Sequence, residues 1–220
     1  MPRPKQRTPA LRDELLSHAL ALLAGGGPAA VTARGVAQGA GTSTAAVYEL
    51  FEDKHGLVRA IYLEGFRRIA SDFSQLAESA DPRQDLVALV YAFRNFARAH
   101  PGLTEVMFNH PFQDFRPGSE DIAHFQVSYR VVMSRVERAL AAGLVAGEPR
   151  DIALMMMATA EGLIGMESSG RLGRTQADRD RRWERAVDMM LRGLWAEGSE
   201  QEGGGAPQAA SPGEPKEGIS

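Results

Sequence analysis

Between residues 9 and 25 the apolar side chains Leu11, Leu15, Ala19, Leu22 and Leu23 recur at three- and four-residue intervals. That spacing places them on one face of an α-helix. Gly25-Gly26-Gly27-Pro28 ends the run. Thr32 is placed to cap a second short helix that ends near Ala40 and Gly41, and Ser43 to cap a third over about 43–50. Asp53 caps a fourth, which Leu57, Ile61, Phe66, Ile69 and Phe73 carry from about 54 to 79. Asp81-Pro82 restarts the chain, and Leu86, Leu89, Val90, Phe93, Phe96 and Ala97 mark a fifth helix ended by His100-Pro101-Gly102. A short helical LTEVMF follows, and NHPFQDFRPGS, broken by two prolines, reads as a loop. Residues 120–146 carry Ile122, Phe125, Tyr129, Val132, Val136 and Leu140 on one side. Residues 150–168 are apolar nearly all round, the pattern of a buried helix. Trp183, Val187, Met190, Leu191, Leu194 and Trp195 make an amphipathic last helix over 176–197. From Gly198 the chain is Gly, Pro, Glu, Ser and Ala with almost no bulk, a disordered tail over 198–220. There is no strand alternation and no repeat. The pattern predicts an all-α chain of three short helices followed by about six longer ones.

Composition narrows the function more than the fold. The net charge of −3 does not announce a nucleic-acid binder. Its distribution leans that way: residues 1–60 hold seven Lys/Arg against five Asp/Glu, and the remainder eighteen against twenty-three. With no cysteine, disulfides, thiolate metal sites and cysteine nucleophiles are excluded, and a reducing cytoplasm is expected. No apolar run is long enough for a membrane span. MPRPKQRTPA is basic but leads into no hydrophobic segment of a secretory signal. The histidines His18, His55, His100, His110 and His124 form no H-x-x-x-H or H-E-x-x-H pattern, and Pro111 breaks the helix that would pair His110 with Asp114. There is no G-x-S-x-G, P-loop or G-x-G-x-x-G. The expectation is a non-enzyme with no catalytic residue, metal or cofactor.

One stretch carries the function. On a helical wheel, Ala46, Val47, Leu50 and Phe51 of GTSTAAVYELFEDK fall on one side, and Thr44, Ala45, Tyr48 and Glu49 on the other. The second side is small at its leading end, as a helix entering a major groove requires. The helix over 32–40, the Gly39-Ala40-Gly41 turn and the helix over 43–50 have the size of a helix-turn-helix. Lys54 opens the next helix, where free N–H groups also favour phosphate.

Over residues 9–65, VTARGVAQGAGTSTAAVYELFEDKHGLVRAIY in particular, the sequence resembles the DNA-binding domain of the TetR family of bacterial repressors. The shared features are T-x-R opening the second helix, a small-residue turn, a late Tyr with Phe three residues on, and a polar cap plus Lys. FARAHPGLTEVMF and ATAEGLIGMESSGRL resemble a recurrent subtype of TetR regulatory domain. The resemblance implies a basic arm (1–8), a helix-turn-helix domain (9–53) and a regulatory domain (54–197) that binds a ligand and forms a homodimer through the last two long helices. It implies a double-stranded operator as partner, read by Arg34 at a base edge. Thr32 caps and reaches phosphate, Ser43, Thr44 and Ala45 face the groove, and Tyr48 and Lys54 hold phosphates. Two departures stand out: Glu49 is acidic on the outward face, and Leu50 replaces an aromatic or His.

Each residue also has a plainer role. Tyr48 is a half-buried helix-end tyrosine, Arg34 and Lys54 are solvated, and Arg3, Lys5 and Arg7 are either a minor-groove arm or an idle leader. For a small, mostly apolar effector the candidates are Phe66, Phe73, Phe93, Phe96, Met107, Phe108, Phe125, Tyr129 and Glu161. Glu161, costly to bury unpaired, either meets a ligand donor or pairs with an arginine across the dimer. The methionines Met155, Met156, Met157, Met133 and Met166 are adaptable pocket or plain core. The competing function is a helical small-molecule-binding or enzyme module that keeps the scaffold and does not regulate DNA.

Overall fold

The computed structural model describes residues 8–109, 111–112 and 115–194. The basic arm up to Arg7, His110, Gln113, Asp114, the Ile122 side chain and everything from Trp195 onward, the tail included, lie outside the described residues. The described chain is all-α and contains no β-strand. Its helices are α1 (Pro9–Gly26), α2 (Ala33–Gly39), α3 (Thr44–Phe51), α4 (Lys54–Ser74), α5 (Pro82–Ala99), α6 (Pro101–Thr104), α7 (Ser119–Ala141), α8 (Pro149–Ser168) and α9 (Gln176–Leu194). A π-turn over Glu105–Asn109 prolongs α6.

The helix starts follow from local chemistry. Thr32 Oγ1 accepts the Gly35 N–H (3.0 Å), Ser43 Oγ that of Ala46 (3.2 Å), and Asp53 Oδ1 that of Gly56 (2.8 Å). Each satisfies a donor that the first turn leaves orphaned. Behind these caps Leu11, Leu15, Leu23, Val36, Val47, Phe51, Leu57 and Ile61 close a common core of α1–α4.

Two helix ends differ from the periodicity. α4 stops at Ser74, not near 79, because tertiary bonds claim the next residues. The Leu76 carbonyl accepts from Arg135 Nη2 (2.7 Å), the Ser79 N–H donates to Asp85 (2.9 Å), and the Ser79 carbonyl accepts from Arg138. α7 stops at Ala141, not 146. Its last turn closes through Gly143 N–H to Leu140 O (2.9 Å) and Leu144 N–H to Ala139 O (3.0 Å), after which Ala146 N–H turns to Leu194 O of α9 (3.1 Å). α8 corrects a third expectation. It buries Ile152, Ala153, Met156 and Ala160 but leaves Leu154 58% and Met155 49% exposed, so one apolar side is uncovered within the chain.

Buried charge fixes the larger half. Arg94 of α5 donates to both carboxylate oxygens of Glu167 on α8 (2.9 and 2.8 Å) and pairs with Asp180 on α9 (2.7 Å). Its guanidinium lies 4.8 Å from the Trp183 ring centroid, and the Trp183 indole donates to Glu167 (2.6 Å). Burial pushes the Glu167 carboxyl up, but these bonds outweigh it and hold it below its ordinary value. Burial pushes Asp85 up likewise, and Ser79, Arg138 and Arg135 together hold it low.

The joint between α3 and α4 is tight. Glu52 has φ 68 and ψ −54, and the Asp53 N–H donates to Phe51 O at 2.8 Å. That is a γ-turn of the strained, positive-φ kind. Gly56 packs so closely that a Cβ there would overlap the Phe51 carbonyl oxygen.

Both joints can be tested by substitution. Arg94→Ala leaves a buried carboxylate with only an indole partner and is expected to cost about 3–5 kcal/mol in urea unfolding. A loss no larger than the ~1 kcal/mol of a surface pair would contradict the role given to it. Gly56→Ala should lower the unfolding midpoint and shift amide resonances of residues 44–57 while sparing α9. Unchanged resonances in α3 would show that the joint has slack.

Candidate nucleic-acid interface

The two faces expected of α3 are those observed. Ala46, Val47 and Phe51 are buried and Leu50 half-buried, while Thr44, Ala45, Tyr48 and Glu49 face out. Tyr48 is 46% exposed, so about half of its surface is available to a partner. Arg34, in the first turn of α2, and Lys54, the first residue of α4, are also exposed. Thr32 and Ser43 are exposed too; as caps they use an acceptor lone pair, and the hydroxyl hydrogen stays available to donate.

The electrostatics is local. The Gly56 N–H, and secondarily His55 Nδ1 at 3.4 Å, hold the Asp53 carboxyl below its ordinary value. Asp53 is thereby committed to capping. Lys54 Nζ lies 5.8 Å from the Phe112 ring centroid and remains exposed. The face offers hydroxyls, one guanidinium, one ammonium and small side chains that let the backbone come close. These groups suit a polyanion approached at short range. Glu49 is its acidic exception.

One turn beyond Lys54, Arg59 Nε donates to the buried Asp121 (2.7 Å) and Nη2 pairs with Glu120 (2.7 Å), tying α4 to the start of α7. The hydrogen bond to Asp121 outweighs burial and raises the pKa of the Arg59 guanidinium. The far half of α4 walls a cavity of about 50 Å³. Phe66, Ile69 and Phe73 meet Leu89, Val90 and Phe93 of α5, Phe108 of the π-turn, Phe125, Ser128, Tyr129 and Val132 of α7, and Met156, Met157 and Ala160 of α8. Phe66 stands edge-on to Phe108 and Phe125, with centroids at 6.0 and 5.7 Å, and Tyr129 stacks on Phe125 at 5.5 Å.

Six of the effector candidates, Phe66, Phe73, Phe93, Phe108, Phe125 and Tyr129, line this cavity. Phe96 does not; it packs edge-on against His100 at 5.2 Å. Met107 does not either, its side chain lying over Gly65 of α4. Glu161 lines a neighbouring cleft, and burial pushes its carboxyl above the ordinary value. Periodicity shows that a face is buried but not which buried face borders a void. For the same reason it missed Ile69, Leu89, Val90, Ser128, Val132 and Ala160. Of the methionines left open between adaptable pocket and plain core, Met156 and Met157 line the wall, and Met107, Met133, Met155 and Met166 do not.

Residues 15–61 match the bacterial regulatory proteins of the tetR family, and residues 86–190 match the tetracyclin repressor-like C-terminal domain. Among solved structures, a protein of unknown function from Rhodococcus sp. RHA1 aligns with a TM-score of 0.73 over 87% of this chain and 99% of its own, at 28% identity. A TetR-family regulator from Haemophilus influenzae aligns at 0.64 over 87% and 100%, with 16% identity. PfmR, a TetR-family regulator from Thermus thermophilus, aligns at 0.62 over 83% and 96%, with 20% identity. These last two likenesses concern the fold alone. No protein with a curated description matches the chain. The two family matches fall in order on the capped short helices and on the helices that wall the cavity, and the chain belongs to the TetR family of transcriptional regulators.

Proposed function

We propose that the protein is a ligand-responsive repressor that works in the cytoplasm, catalyses nothing, and releases a palindromic operator when a small, mostly apolar effector enters the C-terminal half. The observation that carries this reading is the continuity of α4. Its first residue, Lys54, is exposed beside α3, and Phe66, Ile69 and Phe73 of the same 21-residue helix wall the cavity. Lys54 and Phe66 are roughly 18 Å apart along the axis. Work done on the cavity wall therefore reaches the DNA-facing end through one rigid element.

The uncovered apolar side of α8, with Leu154, Met155 and Met166, and Met189 of α9, 61% exposed, support a homodimer formed by these two helices. No helix among the described residues is long and apolar enough to cross a membrane, so an exposed row of this kind is better covered by a second copy than by lipid. A dimer sets two α3 helices about 34–36 Å apart, or a multiple of that, on a pseudo-palindrome. An effector that favours the wrong spacing by about 1–3 kcal/mol changes operator affinity roughly 5–150-fold.

The first experiment is selection of bound sequences from a random duplex pool across a salt titration. A recovered palindrome supports the reading. Absence of any DNA binding favours the competing one, a helical binding or enzyme module on the same scaffold. On the recovered operator, Arg34→Ala is expected to cost about 1–3 kcal/mol and relax preference at one base pair. Equal losses on operator and random duplex would show that Arg34 reads no base. Lys54→Ala should weaken binding to all sequences and flatten the plot of log affinity against log salt by about 0.9 for each phosphate no longer neutralised. An unaltered slope would show that Lys54 holds no phosphate.

A further inference from the structure

Carboxylates buried in this chain come with arginines. Asp85 has Arg135 and Arg138, Asp121 has Arg59, Glu167 has Arg94, and Glu64 has Arg67 and Arg68. Glu161 and Glu105 depart from that pattern, Glu161 most clearly. Glu161 is half-buried on α8 and, among the described residues, makes no hydrogen bond or ion pair. It faces a cleft of about 460 Å³ between the end of α1, α5, α6 with its π-turn, and α8. That volume is within the range of small-molecule sites, which the apolar cavity alone is not.

The lining fixes the sign of the occupant. Among the described residues it holds two carboxylates, Glu105 and Glu161, and no Lys, Arg or His. An anion entering would meet like charge and no donor of positive charge. Phe93 and Phe108 line both the cleft and the apolar cavity, and their rings stand edge-on with centroids 5.3 Å apart. They form the partition between the two spaces. Phe108 belongs to the π-turn, a short irregular segment and not a regular helix.

We propose that the cleft is a binding site for an organic cation, a protonated amine or quaternary ammonium with an apolar tail. The head sits at Glu161 with Glu105 opposite, against the faces of Phe93 and Phe108, and the tail passes between those rings toward the cavity. A desolvated carboxylate without a partner costs stability that a bound cation returns, and an aromatic face adds to the attraction. The effector role of such a cation rests on the repressor reading above; its binding does not.

The test is calorimetric titration of the DNA-free full-length protein with three probes that differ in head group on straight tails of seven or eight carbons: octyltrimethylammonium, 1-octanol and octanoate. The ammonium should bind at least about tenfold tighter than the alcohol, a difference of about 1.4 kcal/mol, and octanoate weakest. Glu161→Gln should bring the ammonium down to the alcohol and leave the alcohol unchanged, and Glu105→Gln should give a smaller loss in the same direction. Octanoate binding as tightly as the ammonium, no ammonium binding below millimolar, or full ammonium affinity in the Glu161→Gln protein overturns the proposal. So does a Glu161→Gln protein that loses the alcohol equally, which would make Glu161 a structural residue. A protein that binds the ammonium but no DNA keeps the cation site and loses the repressor reading. A protein released from its operator by octanoate, with no ammonium binding, does the reverse.

Discussion

The γ-turn at Glu52 leaves no linker between α3 and α4, and the rest of the molecule works through that constraint. Phe51 is buried, its carbonyl is held by the Asp53 N–H at 2.8 Å, and bare Gly56 presses against it. Arg12 of α1 lies 4.8 Å above the Phe51 ring. With a strained turn held from three sides, α3 has no soft dihedral by which to stay behind when α4 moves. α3 and the cavity wall are thus two ends of one body, and the Arg59–Asp121 bond gives that body a contact on α7 partway along.

What can move is set by where the charges are. Arg94 joins α5, α8 and α9, and Asp85 joins α5, α7 and the segment after α4. Separating either buried pair leaves an uncompensated charge, so these helices form the fixed frame. The cavity wall on the α4 side and the π-turn is held by aromatic contacts worth about 0.5–1.5 kcal/mol each beyond area burial. A ligand burying about 100 Å² of apolar surface, at about 25 cal/mol per Å², gains roughly 2.5 kcal/mol. That exceeds one or two ring contacts and falls short of a buried ion pair. Expansion of a cavity of about 50 Å³ should accordingly displace rings and α4 before it displaces α5 or α9.

The N-terminal helices were legible because their determinants are local. Thr32, Ser43 and Asp53 are caps by residue type and position, and the observed bonds run from each to the N–H three residues on. The ends of α4 and α7 were not legible, because partners far along the chain decide the first: Arg135 and Arg138 take the Leu76 and Ser79 carbonyls. The γ-turn was hidden too, since nothing in the glutamate at position 52 signals positive φ. α8 misled in an informative way. An all-round apolar pattern says that a helix has two coverable sides, and the chain's own packing covers only the side with Ile152, Ala153, Met156 and Ala160. Glu161 was singled out from its sequence neighbours, but only the three-dimensional packing shows that no arginine of the described chain reaches it.

The same pairing of arginine with carboxylate bears on how a chain of net charge −3 would hold DNA. Arg59, Arg67, Arg68, Arg94, Arg135 and Arg138 are committed to acids within the C-terminal half. On the exposed surface of α2, α3 and the start of α4, Arg34 and Lys54 are the described side-chain cations, with Glu49 as an acidic neighbour. A surface so lightly charged draws little from long-range attraction. Its grip must come from close fit: the small outward residues Thr44 and Ala45 that admit the backbone, and the free hydroxyl hydrogens of the caps. Close fit depends on orientation far more steeply than a Coulombic field does. On the repressor reading proposed above, that steepness would let a small tilt of α4, transmitted through the tight joint, undo it.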